Sequence, residues 1–297
     1  MSSDAQTTPR AEQPWTVGRV IDWTTAHLKT HGSDTPRLDA EILLAHARNC
    51  PRIQLYTHYD EVLSDEVRAV MRELVTRRAR AEPVAYLVGH REFYGMDFRV
   101  TPDVLIPRPD TETLVLELLT LAADRPQPRI LELGTGSGCI AIATAANLPT
   151  AEIVAIDISP EALHVAAQNA EKHGVADRIE FHCGDLFAPL KSDATFDFIV
   201  SNPPYIPAAE LAELDADVRD HEPHLALDGG ADGLDVIRRL IAGSGARLKS
   251  GGFLLLEIGA EQGNVLPELI DASGDYRTPR IVQDLAQRPR VAAAQRL

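Results

Sequence analysis

Apolar residues between positions 16 and 80 recur at helical spacing. Trp15, Val20, Trp23 and Leu28 predict a helix that begins after Thr16. Leu38, Ile42, Leu43 and Ala47 predict a second, beginning after Pro36. Val67, Val70, Met71, Leu74 and Val75 predict a third, with Ser64 as its N-cap. No strand pattern interrupts them. Residues 15–85 therefore read as a small helical domain, preceded by a polar, disordered tail over 1–14. From about residue 91 the period changes. Residues 92–94 and 97–100 flank Gly95 as a hairpin would, inside a linker over 86–108. Next comes Leu105-Ile106-Pro107-Arg108-Pro109-Asp110-Thr111-Glu112. Its two prolines favour an extended chain, and Asp110 is placed to cap a helix over about 111–123.

Residues 109–297 then alternate between the two periods. Strands are predicted at 129–133, 152–157, 178–182, 196–201 and 252–258. Helices are predicted at 138–147, 160–173, 232–249 and 261–272. Strand-helix-strand order implies right-handed crossovers and a mostly parallel sheet covered on both faces. Two strand-like runs, 276–285 and 289–296, predict an antiparallel hairpin at the C-terminal edge of that sheet. The fold class is α/β, with a small N-terminal helical domain.

Charge narrows the function. The chain has 297 residues and a net charge of -15. Residues 1–108 are nearly neutral, with 14 basic and 15 acidic groups, whereas 109–297 carry 15 against 29. Such a chain has no general attraction for a phosphate backbone, so direct nucleic-acid binding is not expected. Nine acids and a single base, Arg219, lie within 205–235. That run is expected to be a solvated loop at the rim of a substrate entrance, able to steer a basic protein loop. Cys50, Cys139 and Cys183 are far apart and have neither metal nor redox spacing. No signal peptide, membrane span or metal site is expected, and the protein reads as cytoplasmic.

Four motifs follow predicted strands. Gly134-Thr135-Gly136-Ser137-Gly138 has glycine where backbone must take positive φ or approach a ligand. Its spacing is not that of the dinucleotide fingerprint or the P-loop. Asp157 ends the next strand, where a carboxylate can accept both hydroxyls of a ribose. It can equally serve the N-terminus of the helix that starts at Ser159-Pro160-Glu161. Asp185, in Gly184-Asp185-Leu186-Phe187, is placed to accept from an exocyclic amino group. Asn202-Pro203-Pro204-Tyr205 decides the chemistry. Two prolines remove donors and stiffen the turn, leaving the Asn202 amide oxygen and the Pro203 carbonyl as acceptors. Two acceptors on a rigid turn suit a planar NH2 group, and the Tyr205 ring can stack on it.

Together these motifs resemble class I S-adenosylmethionine-dependent methyltransferases, which have a Rossmann-like sheet. The chain is similar to the HemK/PrmC family in particular. The likeness is carried by Arg37-Leu38-Asp39-Ala40-Glu41-Ile42-Leu43-Leu44, Arg91-Glu92-Phe93-Tyr94-Gly95, the Leu105-to-Glu112 stretch, Glu222-Pro223 and Gly251-Gly252-Phe253-Leu254-Leu255-Leu256-Glu257. The resemblance implies transfer of a methyl group from S-adenosyl-L-methionine to the side-chain N5 of the glutamine in the Gly-Gly-Gln loop of peptide chain release factors. S-adenosyl-L-homocysteine would be the product. It implies that Gly134, Thr135, Gly136, Ser137, Gly138, Asp157, Asp185, Leu186 and Asn202 hold the cofactor. It also implies that Asn202, Pro203, Pro204 and Tyr205 bind the substrate, with Asn202 and Pro203 catalytic. The helical domain would recognise the protein substrate, and a monomer is expected. Many members have an aromatic directly after the third-strand aspartate, where this chain has Leu186 followed by Phe187. The alternatives are a ribosomal-protein glutamine methyltransferase and an N6-adenine methyltransferase. The Pro107-to-Glu112 stretch disfavours the first and the charge disfavours the second. A non-catalytic adenosine-ligand scaffold and a dinucleotide dehydrogenase fit the motifs less well.

Overall fold

A computed structural model describes residues 13–277 and 279–297. Most of the expected tail, residues 1–12, lies outside the described residues. The chain divides into two compact units, Met1–Val88 and Gly89–Leu297.

In the first unit, α1 (Val17–Thr30) is capped by the Thr16 hydroxyl and α4 (Asp65–Arg78) by Ser64; α2 (Pro36–Ala47) starts on proline. Two short helices, α3 (Ile53–Thr57) and α5 (Val84–Val88), complete it. Its core is built from Val17, Val20, Ile21, Leu28, Leu43, Leu44, Leu55, Met71, Leu74, Val75 and Leu87. The buried stripe is rotated from the one expected. Trp23, Leu38 and Val70 are exposed, while Thr24 faces inward. Trp23 instead stacks on His27 on the outer face of α1, ring centroids 4.9 Å apart. Buried Asp39 pairs with Arg78 at 2.8 Å, so the paired charge avoids an uncompensated desolvation cost.

The second unit opens with β1 (His90–Phe93) and β2 (Met96–Arg99), joined at Tyr94 and Gly95, both at positive φ. Two left-handed residues make the tight turn whose twist suits a hairpin. Phe93 and Phe98 are buried in the core of this unit, so the hairpin is integral to it rather than a connection beside it. Then come α6 (Glu112–Ala122), β3 (Arg129–Leu133), α7 (Cys139–Asn147), β4 (Glu152–Asp157), α8 (Pro160–Lys172), β5 (Ile179–Cys183) and β6 (Phe196–Ser201). They are followed by α9 (Ala216–Arg219), α10 (Asp235–Ser244), β7 (Leu248–Glu257), α11 (Leu266–Ala272), β8 (Arg280–Gln283) and β9 (Pro289–Gln295).

Among the described residues the main sheet has seven strands in the order β5-β4-β3-β6-β7-β9-β8. Pairing is parallel from β5 to β7 and antiparallel on both sides of β9. Strand β6 shows why such strands are apolar throughout. Phe198 and Val200 face the core under α6 and α7, and Ile199 faces the core under α10 and α11. The chain runs outward from β3 to β5, then returns to place β6 on the other side of β3. This reversal opens a crevice at the C-terminal ends of β3 and β6.

Several boundaries differ from expectation. Within the run predicted over 276–285, β8 covers Arg280–Gln283, and β7 starts at Leu248, four residues before the predicted 252. The helix predicted over 232–249 ends at Ser244, because Leu248 is already a buried strand residue paired with Phe196. The helix predicted over 261–272 begins as a 3-10 turn over Ala260–Asn264, and α11 proper starts at Leu266. Asp110 caps nothing: a 3-10 turn precedes α6, and its carboxylate pairs with Arg290 at 2.9 Å. No helix among the described residues is long and apolar enough to cross a membrane.

Candidate active site

Leu133 and Ser201 are register partners on β3 and β6. The glycine loop and the Asn202 turn each begin one residue later, so both open into the same crevice. A cavity of about 450 Å³ fills it, within the range of a small-molecule site. Gly134, Thr135, Gly136, Ser137, Asp157, Asp185, Leu186, Asn202, Pro203 and Pro204 line it.

The glycines differ in what they do. Gly134, Gly136 and Gly138 all have positive φ, at 73°, 55° and 80°. A Cβ on Gly136 would meet nothing within 4 Å, whereas one on Gly138 would sit 2.9 Å from Ile142 and 3.1 Å from Ala166. Gly138 is not among the cavity-lining residues. It lets α7 start hard against α8. Thr135 turns its hydroxyl inward to Glu132 Oε2 at 2.8 Å. The buried Ser137 offers its carbonyl to Asn169 at 2.9 Å. Asn169, on α8, also exchanges both hydrogen bonds with the Arg99 backbone, at 2.8 and 3.0 Å, tying β2 to the loop.

Asp157 accepts from Gly136 N at 2.8 Å and Ser159 N at 3.0 Å. It thus fixes the loop and the start of α8 while lining the cavity. Burial raises its pKa, and those backbone donors oppose the rise. Asp185 also lines the cavity and is paired with Arg239 at 2.6 Å. Leu186 adopts positive φ and turns into the cavity, whereas Phe187 packs against Gly243 of α10. Phe187 is not among the residues that line the cavity.

A second, smaller cavity of about 90 Å³ lies beside the first, lined by Asn202, Pro203, Tyr205, Arg108 and Glu257 among others. Burial pushes the Tyr205 hydroxyl up to about 12, and the Glu257 charge adds to this. The Tyr205 carbonyl is held at 3.2 Å by Gln262, which also grips the Gly233 carbonyl at 3.0 Å.

The acidic run is less uniform than expected. Glu222 is buried, not a solvated rim acid. It receives Ile106 N at 3.2 Å and Arg108 at 2.5 Å, locking the Pro107 stretch to the loop. Asp232 and Asp235 pair with Arg238, and Asp220 with Arg219. Two buried carboxylates escaped the sequence reading. Burial pushes Glu132 up to about 8 and Glu257 up to about 7. Each directly follows an apolar run in its strand, Ile130-Leu131 and Phe253-Leu254-Leu255-Leu256, which is the available signal.

The donor set and shape fit an adenosine-type ligand. Carboxylates stand at the ends of two strands, apolar walls come from Ile140, Ile156 and Leu186, and the glycine loop borders open space.

Two family models match the chain: the PrmC N-terminal domain over residues 19–89 and the methyltransferase small domain over 108–217. A release factor glutamine methyltransferase from Rhodopirellula baltica is 46% identical over 96% of this chain and 98% of its own. One from Moorella thermoacetica is 44% identical over 95% and 99%. Among solved structures, a methyltransferase from Pyrococcus furiosus matches with a TM-score of 0.52 at 19% identity, covering 74% of this chain and 98% of its own. The hMettl16 catalytic domain in complex with a MAT2A 3'UTR hairpin matches with a TM-score of 0.56 at 18% identity, covering 75% and 82%. These two show the fold alone.

Proposed function

The chain belongs to the release factor glutamine methyltransferases, and on that premise we propose how its own residues carry out the methylation of a release-factor glutamine. The larger cavity is the cofactor site. Gly134 and Gly136 let the backbone approach the ligand closely, Asp157 accepts from the ribose hydroxyls, and Asp185 and Leu186 meet the base. Thr135 and Ser137 contribute backbone only, and Gly138 acts through packing. S-adenosylmethionine held there would supply an activated methyl group on a sulfonium.

The acceptor is the harder partner, because an amide nitrogen shares its lone pair with its carbonyl. The smaller cavity is the slot for the glutamine side chain. Asn202 Oδ1 and the Pro203 carbonyl take its two N–H bonds, Tyr205 walls the slot, and Pro204 borders the larger cavity beside it. Held this way the nitrogen is favoured in a more pyramidal form, with its lone pair aimed at the cofactor cavity. The gain comes from orientation and from acceptors facing developing positive charge. The methylated nitrogen is strongly acidic and releases its proton without a strong base. The helical unit grips the protein substrate away from the methyl group. N5 of the glutamine in the Gly-Gly-Gln loop as the target, a cytoplasmic location and a monomeric state are parts of the same proposal.

One observation carries the reading: the Leu133–Ser201 pairing sets the glycine loop and the Asn202 turn side by side at the C-terminal ends of two central strands. The test uses labelled S-adenosylmethionine with a purified release factor, its Gln→Ala loop mutant, or DNA. Label on the intact factor alone is expected, and Asn202→Ala is expected to abolish it while keeping much of the cofactor binding. Label on DNA instead, or a fully active N202A, would overturn the proposal.

A further inference from the structure

An asparagine amide must present its oxygen, not its NH2, to a substrate NH2 group. Nothing within Asn202 fixes that choice; its hydrogen-bond partners must. Asn202 Nδ2 donates to Thr111 Oγ1 at 3.3 Å. Thr111 is buried, and so is Glu257 at the end of β7. Glu257 shares the small cavity with Asn202, and its Oε2 has no hydrogen-bond partner among the described residues. A carboxylate only accepts, and a threonine hydroxyl has one hydrogen. If that hydrogen goes to Glu257, the lone pairs of Thr111 Oγ1 remain, and they can receive only the Asn202 NH2. Donation then runs from Asn202 to Thr111 to Glu257, and Asn202 Oδ1 is left facing the slot.

We propose that Thr111 and Glu257 are positioning residues of the reaction: Glu257 orients the Thr111 hydroxyl, which holds the Asn202 amide with its oxygen toward the substrate nitrogen. This rests on the role given to Asn202 above. The charges around Glu257 agree with it. Burial pushes its carboxyl up to about 7. The Thr111 hydroxyl, Arg290 and Arg108 favour the charged form, and Asp110 opposes it. Tyr205 and Cys139 feel the same charge, and burial keeps both protonated. A protonated Glu257 becomes a donor. It can give its hydrogen to Thr111, reverse the order of donation and turn the Asn202 NH2 into the slot. The turnover rate therefore rises with pH as this carboxyl ionises.

The test is kcat against pH for the full chain with purified release factor and labelled S-adenosylmethionine. Cofactor binding is measured in parallel by calorimetry. Thr111→Val is expected to lose roughly 100-fold in kcat and to lose the low-pH limb, with cofactor affinity changed less than about twofold. Thr111→Ser restores both rate and limb. Glu257→Gln is slow and flat with pH. A T111V enzyme with the wild-type rate, or one that keeps the limb, overturns the proposal. If T111V does not fold, E257Q decides, and a wild-type rate there overturns it. Inactive N202A alongside fully active T111V sinks this inference alone, whereas active N202A sinks the reading beneath it.

Discussion

Gly138 and Gly136 sit two residues apart in one loop, yet substituting them should fail in different ways. Both have positive φ, at 80° and 55°. Alanine in that region costs roughly 1–2 kcal/mol. At Gly138 the new methyl would also meet Ile142 Cδ1 at 2.9 Å and Ala166 Cβ at 3.1 Å. The Ile142 tip can give way, but Ala166 Cα at 3.3 Å is backbone of α8 and cannot. Overpacking of this kind adds about 1–3 kcal/mol. Gly138→Ala should therefore lose about 2–5 kcal/mol of stability. At Gly136 the methyl enters open space, so Gly136→Ala should lose only the strain, about 1–2 kcal/mol. Its methyl would instead occupy the cofactor cavity. Urea unfolding and calorimetric binding of S-adenosylhomocysteine separate the two effects. G138A should have the lower unfolding midpoint and G136A the weaker binding at a temperature where both are folded. Equal midpoints, or full binding by G136A, would refute the division of labour between these glycines.

Two further expectations follow from the same structure. Burial raises the Glu132 carboxyl from 4.5 to about 8, so the folded chain holds a proton there that the unfolded chain releases. This contribution is fully present below about pH 4.5 and is lost as the pH rises through about 8, amounting to a few kcal/mol. The urea midpoint should fall less between pH 5 and pH 8 in Glu132→Gln than in the wild type; parallel declines would show that Glu132 titrates normally. Removing residues 1–85 should lower kcat/KM on intact release factor by more than tenfold while sparing S-adenosylhomocysteine affinity, and equal activity on the whole factor would remove the helical unit from substrate recognition.

The strands and the loops that follow them are legible in the sequence because a parallel sheet writes its strands as apolar runs and its ligand loops as the breaks after them; the strand order is not. Gly134, Asp157, Asp185 and Asn202 stand at such breaks, and all four line one cavity. What stayed hidden was pairing across the chain. Thr111 reads as a helix-start residue, and only the fold sets it against Asn202, 91 positions away. Glu222 reads as one acid in an acidic run, and only contact with Arg108 and Ile106 shows it to be buried. The Trp23 stripe failed for a local reason. A helix with apolar residues on two adjoining faces does not announce which face goes inward, and the smaller Thr24 won the core position.

Asn169 has a consequence for how this protein can be cut or recombined. It is fully buried, and its hydrogen bonds to Arg99 and Ser137 join a hairpin and a loop that a motif search would assign to different modules. A fragment that starts at residue 108, where the methyltransferase small domain match begins, would lack Arg99. It would leave Asn169 Oδ1 without its donor, at about 1–3 kcal/mol if it stays buried, and Nδ2 with one hydrogen bond, to Ser137, in place of two. It would also uncover the core where Phe93 and Phe98 pack. In a chimaera between relatives, the hairpin must therefore be inherited together with the sheet. The seam that leaves this clamp whole lies at residues 88 and 89.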